Sequence, residues 1–116
     1  MPDAIPASRA EVRQAVADAR IHGFARGEIV IDCTPRALDA EAVRSSLGMI
    51  SWCEQSLGCR TFLDLTGFGK DLPEPCWVQA FLLAAAQASG LTMAVADPSV
   101  AETMKIRAAG DRFLVT

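Results

Sequence analysis

Residues 61–90 read TFLDLTGFGKDLPEPCWVQAFLLAAAQASG, and the fold turns on this stretch. Thr61 to Leu65 is short, apolar and closed by Gly67, so it reads as a strand. Its apolar residues Phe62, Leu63 and Leu65 occupy both parities, the pattern of a strand buried on both faces. Gly67-Phe68-Gly69, followed by Pro73 and Pro75, marks a turn. A long apolar run from about Cys76 to Ser89 then reads as a helix. Proline is tolerated in its first turn because the missing N–H would have no intrahelical partner there. Gly90 stops it.

The same alternation extends in both directions. Upstream, Glu28 to Cys33 is a β-branched strand. Asp39 is placed to cap a helix carrying Val43, Leu47, Ile50 and Leu57 on one face, closed by Gly58. Gly48 inside that helix costs roughly 1 kcal/mol relative to alanine. Ser8 and Glu11 form a capping-box pattern that opens an N-terminal helix with Val12, Ala15, Val16 and Ala19. Residues 1–7 read as a tail. Downstream, Leu91 to Ala96 is a third strand, and Asp97-Pro98-Ser99 opens a last helix with a second capping-box pattern from Ser99 to Glu102. Gly110 is expected to end that helix, and Phe113 to Val115 to form a closing strand. The order α-β-α-β-α-β-α-β implies a mostly parallel sheet joined by right-handed crossovers.

The chain has 116 residues, enough for one domain. Hydrophobic residues make up 51% and charged ones 22%, a globular balance that excludes intrinsic disorder. Eleven basic residues against 14 acidic ones give a net charge of −3, which offers no footprint for nucleic acid. No segment reaches the ~20 apolar residues of a membrane span, and no secretory signal stands at the start. A cytoplasmic domain is expected.

Each motif that could carry chemistry fails on inspection. Gly67-Phe68-Gly69-Lys70 follows a strand and precedes a helix, as a phosphate loop would. A Walker loop, however, needs glycine where Asp64 stands and Ser or Thr where Asp71 stands. The dinucleotide fingerprint meets Leu72 in place of its third glycine. Cys33, Cys53, Cys59 and Cys76 contain no Cys-x-x-Cys pair, and His22 is the single histidine, so neither a metal nor a cofactor is expected. The four thiols read as reduced, mostly buried small hydrophobes. Enzyme chemistry would require one of them to meet His22. Asp64 reads as a turn-forming acid rather than half of a carboxylate pair. The apolar helix is the exception to this blandness. Cys76, Trp77, Val78, Phe81, Leu82 and Leu83 leave it almost no polar face, which in so small a domain suggests a partner surface.

The order and spacing of these punctuating residues resemble the STAS family, which includes the bacterial anti-sigma factor antagonists of SpoIIAA-like fold. Ile29-Val30-Ile31 and Ala37-Leu38-Asp39 are similar to the family's first strand and the Gly-x-Leu-Asp before its first helix. Leu63-Asp64-Leu65-Thr66-Gly67 resembles its Leu-Asp-Leu-Ser-Gly strand end. Asp97-Pro98-Ser99 is similar to its Asn-Pro-Ser. The resemblance covers residues 28–116 and leaves 1–27 as a divergent segment. It implies an α/β fold with a mostly parallel sheet of four to five strands packed with helices, here with an extra N-terminal helix.

The resemblance also implies a function. Phosphorylated antagonists carry Asp-Ser-Ser-Gly or Asp-Ser-Thr-Gly at the start of the apolar helix, where this chain reads Leu72-Pro73-Glu74-Pro75. Glu74 thus stands at the phospho-acceptor position and cannot be phosphorylated. The expected activity is non-catalytic protein binding, through Gly69, Lys70, Asp71, Leu72, Glu74, Trp77 and Val78. The implied partner is an anti-sigma factor of kinase-like fold. The alternatives are a cytoplasmic subunit of a lipid-transporting ABC system, bound to its ATPase, and a small carrier of apolar ligands. A homodimer is compatible with each.

Overall fold

The computed structural model describes residues 8–114. The first helix, α1, spans Arg9–Ile21 and starts where the sequence places it. The Ser8 hydroxyl accepts from the Glu11 backbone N–H at 3.1 Å and donates to the Glu11 carboxylate at 3.2 Å. The first strand, β1, is Val30–Asp32, shorter than the expected run from Glu28. The residues before it, Arg26–Glu28, form a 3₁₀ turn in which the Glu28 carboxylate accepts from the Ala25 N–H at 3.0 Å. Helix α2, Ala40–Trp52, begins at the Asp39 cap, whose carboxylate accepts from Ala42 N–H at 2.8 Å. It runs on through a π-helical turn, Cys53–Leu57, until Gly58 adopts a left-handed φ of 68°. Strand β2 is Arg60–Asp64, helix α3 is Pro75–Ser89, and strand β3 is Met93–Val95. Gly90, at φ 107°, ends α3 as expected.

The C-terminal end departs from the sequence reading. Helix α4 runs Ala101–Leu114, straight through Gly110, so the first two residues of the expected closing strand are helical. Val115 lies outside the described residues. Gly110 serves packing instead of termination: a Cβ there would stand 2.7 Å from Gln87 Cδ on α3. The missing side chain leaves room for the Gln87 amide, which donates to Arg107 O and Asp111 Oδ1, each at 3.3 Å, and so ties α3 to α4. Nor does Ser99 cap α4. Its hydroxyl and its N–H both turn back to the Asp97 carboxylate, at 2.7 and 2.9 Å.

Among the described residues the sheet therefore has three strands, not four or five, in the order β1-β2-β3 and all parallel. Ile31 pairs with Thr61, and Leu63 with Ala94. When strands follow one another in sequence through crossovers of one hand, the connecting helices fall on one face of the sheet. Here α2 and α3 pack against each other on that face. They bury Ile50, Leu82, Leu83 and Ala86 against Cys33, Leu63 and Leu65. Helix α1 extends the same layer, setting Val12 and Val16 against Cys53, Leu57 and Cys59. The molecule is accordingly a slab only 21 Å thick.

This one-sided arrangement corrects the reading of β2. Its odd residues, Thr61 and Leu63, are buried, whereas Arg60 is exposed and Phe62 and Asp64 are half-buried. Phe62 lies between Asp32 and Met93 on the uncovered face, and Met93 and Val95 are 41% and 48% exposed. A second helical layer, which burial on both faces would need, is not present among the described residues.

Candidate functional site

The carboxyl ends of β1 and β2 carry two loops that meet. The Thr34 hydroxyl accepts from the Asp64 N–H at 2.9 Å and ties the first loop to the end of β2. Asp64 Oδ1 in turn accepts from the Thr66 N–H at 2.9 Å and from the Thr66 hydroxyl, so one carboxylate oxygen serves the turn. That is the structural role its position suggests. Between the loops lies a groove of about 270 Å³ formed by residues 35–38 on one side and 67–71 on the other. Gly69, Lys70 and Asp71 line it together with Arg36 and the half-exposed Leu38.

The groove's second loop is clamped to α3. Gly69 sits at φ 71°, and a Cβ on it would lie 2.9 Å from Val78 Cγ1. Only glycine allows both that conformation and that approach. Gln79 adds a side-chain hydrogen bond to Phe68 O at 3.1 Å. Val78 is half-buried and packs beneath the loop.

Glu74, the N-cap of α3, is exposed and held at φ 51°, ψ 60°. It is the one non-glycine residue with positive φ among the described residues. A left-handed conformation costs an ordinary residue roughly 1–2 kcal/mol. Its side chain makes no capping bond; the cap is its carbonyl, which accepts from the Trp77 N–H at 3.0 Å. The carboxylate is free in solvent, beside the positive end of the helix dipole.

Beyond Glu74 the outer face of α3 is apolar and bare. Trp77 is 54% and Phe81 70% exposed, one helical turn apart, and Ala84 and Ala88 continue the stripe in exposed or half-exposed positions. Leu72, 39% exposed, precedes it on the loop. The expected contact set stops at Val78 and so omits Phe81 and Leu38. Phe81 is within reach of the sequence, since it stands four residues after Trp77 on a helix.

Other side chains with chemical potential are placed apart. His22 is exposed at the end of α1, its Nδ1 2.8 Å from Asp18 O. Cys33, Cys53 and Cys59 are buried and reduced; Cys76 is half-exposed and also reduced. The Cys33 thiol donates to Ile31 O at 3.7 Å; the neighbouring Cys53 side chain raises the Cys33 pKa, and burial raises it further. Interaction with the Cys33 side chain lowers the Cys53 pKa against the effect of burial, with help from the charge of Arg9. Burial also raises Cys59. No cluster of three or more metal-ligating side chains occurs among the described residues, and none of their helices is long and apolar enough to cross a membrane.

Sequence reasoning passes over a larger cleft. It lies between α1, the end of β1 and α2, has a volume of about 560 Å³, and carries Arg9, Arg36 and Arg44 on its walls. Isolated arginines on separate elements form no motif, and only the fold gathers them. Comparison of the chain with protein-family models and with the curated proteins gives no match.

Proposed function

We propose that this chain is a non-catalytic, protein-binding regulatory module of STAS-like type, docking through the start of α3 and the loop before it. The observation that carries this reading is the exposed pair Trp77 and Phe81, contiguous in sequence with a loop tied to α3 at Gly69 and by Gln79. Aromatic side chains supply large contact area at low entropic cost and dominate binding hot spots. A preformed loop spares the ordering cost that a mobile one would incur. Glu74 gives the surface a permanent charge where a phosphorylatable residue would give a switched one, so binding is constitutive. The partner class is a soluble anti-sigma factor of kinase-like fold.

The test is capture from source-cell lysate by wild type and by Trp77→Ala and Glu74→Lys variants, with partners identified by mass spectrometry. A kinase-like anti-sigma factor retained by wild type and lost by both variants, each still folded, supports the docking surface. Equal retention by all three proteins sinks it. Recovery of an ABC ATPase in place of the anti-sigma factor assigns the chain to a transporter instead.

A further inference from the structure

We propose that the cleft between α1, the end of β1 and α2 binds a small organic phosphate with an apolar body. This does not depend on the docking function above. The cleft's volume, about 560 Å³, falls within the roughly 300–1,000 Å³ of small-molecule sites. Arg9, Arg36 and Arg44 reach it from three different segments: the first turn of α1, the loop after β1, and α2. The one ion pair among the described residues, Arg107 with Asp111, lies on α4, so none of the three guanidinium groups is neutralised by contact with a described carboxylate. Arg9 lies over the Trp52 ring, 5.5 Å from its centroid, and shares that ring with Arg13 at the same distance. Guanidinium forks match phosphate oxygens in pairs, which a lysine cannot do.

The neutral lining fits the same ligand. Ser46, only 8% exposed, is among the residues that line the cleft. Thr34 accepts from the Asp64 N–H and keeps its own hydroxyl proton free to donate. Val12, Ile31 and Met49 supply an apolar floor that a bare inorganic ion would leave unused. Two carboxylates, Asp32 and Glu41, also line the site and leave it one positive charge in excess. Asp32 is already occupied as acceptor of the Thr34 N–H at 2.9 Å. The surplus is small, so selectivity rests on guanidinium hydrogen bonding and the apolar floor rather than on field strength.

The experiment is an amide-shift titration of the full chain with phenyl phosphate, inorganic phosphate and phenol. Phenyl phosphate is expected to move the amides of Arg9, Arg36, Arg44, Ser46 and Gly48 saturably, with inorganic phosphate weaker and phenol silent. An Arg36→Gln/Arg44→Gln double variant should bind at least about tenfold more weakly, because two charge-assisted hydrogen-bonding groups are lost. Arg107→Gln, outside the cleft, should bind as wild type. The amide spectrum itself verifies that each variant is folded. Absence of saturable shifts at the cleft up to about 10 mM phenyl phosphate, a concentration well above a millimolar dissociation constant, overturns the site. Undiminished binding by the double variant does so too. Inorganic phosphate binding as tightly as phenyl phosphate overturns the assignment of an organic ligand.

Discussion

Gly69→Ala is the substitution for which the structure gives the clearest magnitude. Two costs add. The residue sits at φ 71°, where an alanine pays roughly 1–2 kcal/mol. Its new Cβ would stand 2.9 Å from Val78 Cγ1 and 3.2 Å from Val78 Cβ, an overpacking that typically costs about 1–3 kcal/mol. Partial relaxation of the loop brings the expected total to about 2–4 kcal/mol. A chain of 116 residues has a stability of roughly 6–17 kcal/mol, so the variant still folds. In urea its midpoint should fall by about 1–2 M with the slope unchanged. Gly48→Ala is the matched control. Gly48 lies inside α2, and a Cβ added there would meet nothing within 4 Å, so alanine should stabilise by about 0.5–1 kcal/mol. Opposite signs for the two glycines are expected. Truncating Val78 to alanine in the Gly69→Ala background should recover about 1 kcal/mol of coupling energy. A Gly69→Ala variant within about 0.5 kcal/mol of wild type would refute the clamp between the loop and α3.

Three further outcomes follow from single sites. Glu74→Gly relieves a left-handed conformation and should raise stability by about 0.5–1 kcal/mol after glycine's own entropic cost, measured by the same urea titration. Thr61 is 1% exposed and its hydroxyl has no partner, so Thr61→Val should stabilise by about 1 kcal/mol or more in thermal or urea unfolding. In alkylation followed by intact mass and peptide mapping, Cys76 should react first in the native protein. Cys33, Cys53 and Cys59 should react only as fast as the fold opens, and early labelling of Cys33 would contradict its burial and raised pKa.

Local signals read well from the sequence because their physics is local. Ser8, Asp39, Gly58 and Gly90 each act on backbone groups within a few residues, and each does in the structure what its position suggests. Gly110 shows where that reasoning ends. A glycine marks either a stop or a close approach, and the approach of Gln87 from α3 is a tertiary fact. Phe62 is similar. Apolar residues on both parities of β2 suggest a covered sheet, but the strand order puts both crossover helices on one face and leaves Phe62 on the other. Ser99 forms its bond backwards to Asp97, since the same hydroxyl can satisfy a turn or a helix end.

The candidate surface divides along the same line. Trp77 and the loop before it are legible as an apolar helix start with turn residues. Which residues of α3 face outward depends on where the sheet lies. That settles Val78 inward and Phe81 outward, and it gathers Leu38 beside Lys70 and Asp71. The arginine-lined cleft is illegible for the same reason, because its three cations come from separate elements.

On the proposed function, a protein partner docks on the bare Trp77–Phe81 face. The most direct measurement of this is capture from lysate by Phe81→Ala, a position 70% exposed whose truncation should change stability by about 0.5 kcal/mol or less. A folded Phe81→Ala protein that loses the partner held by wild type is the predicted result. Retention of the same partner in the same yield would contradict it.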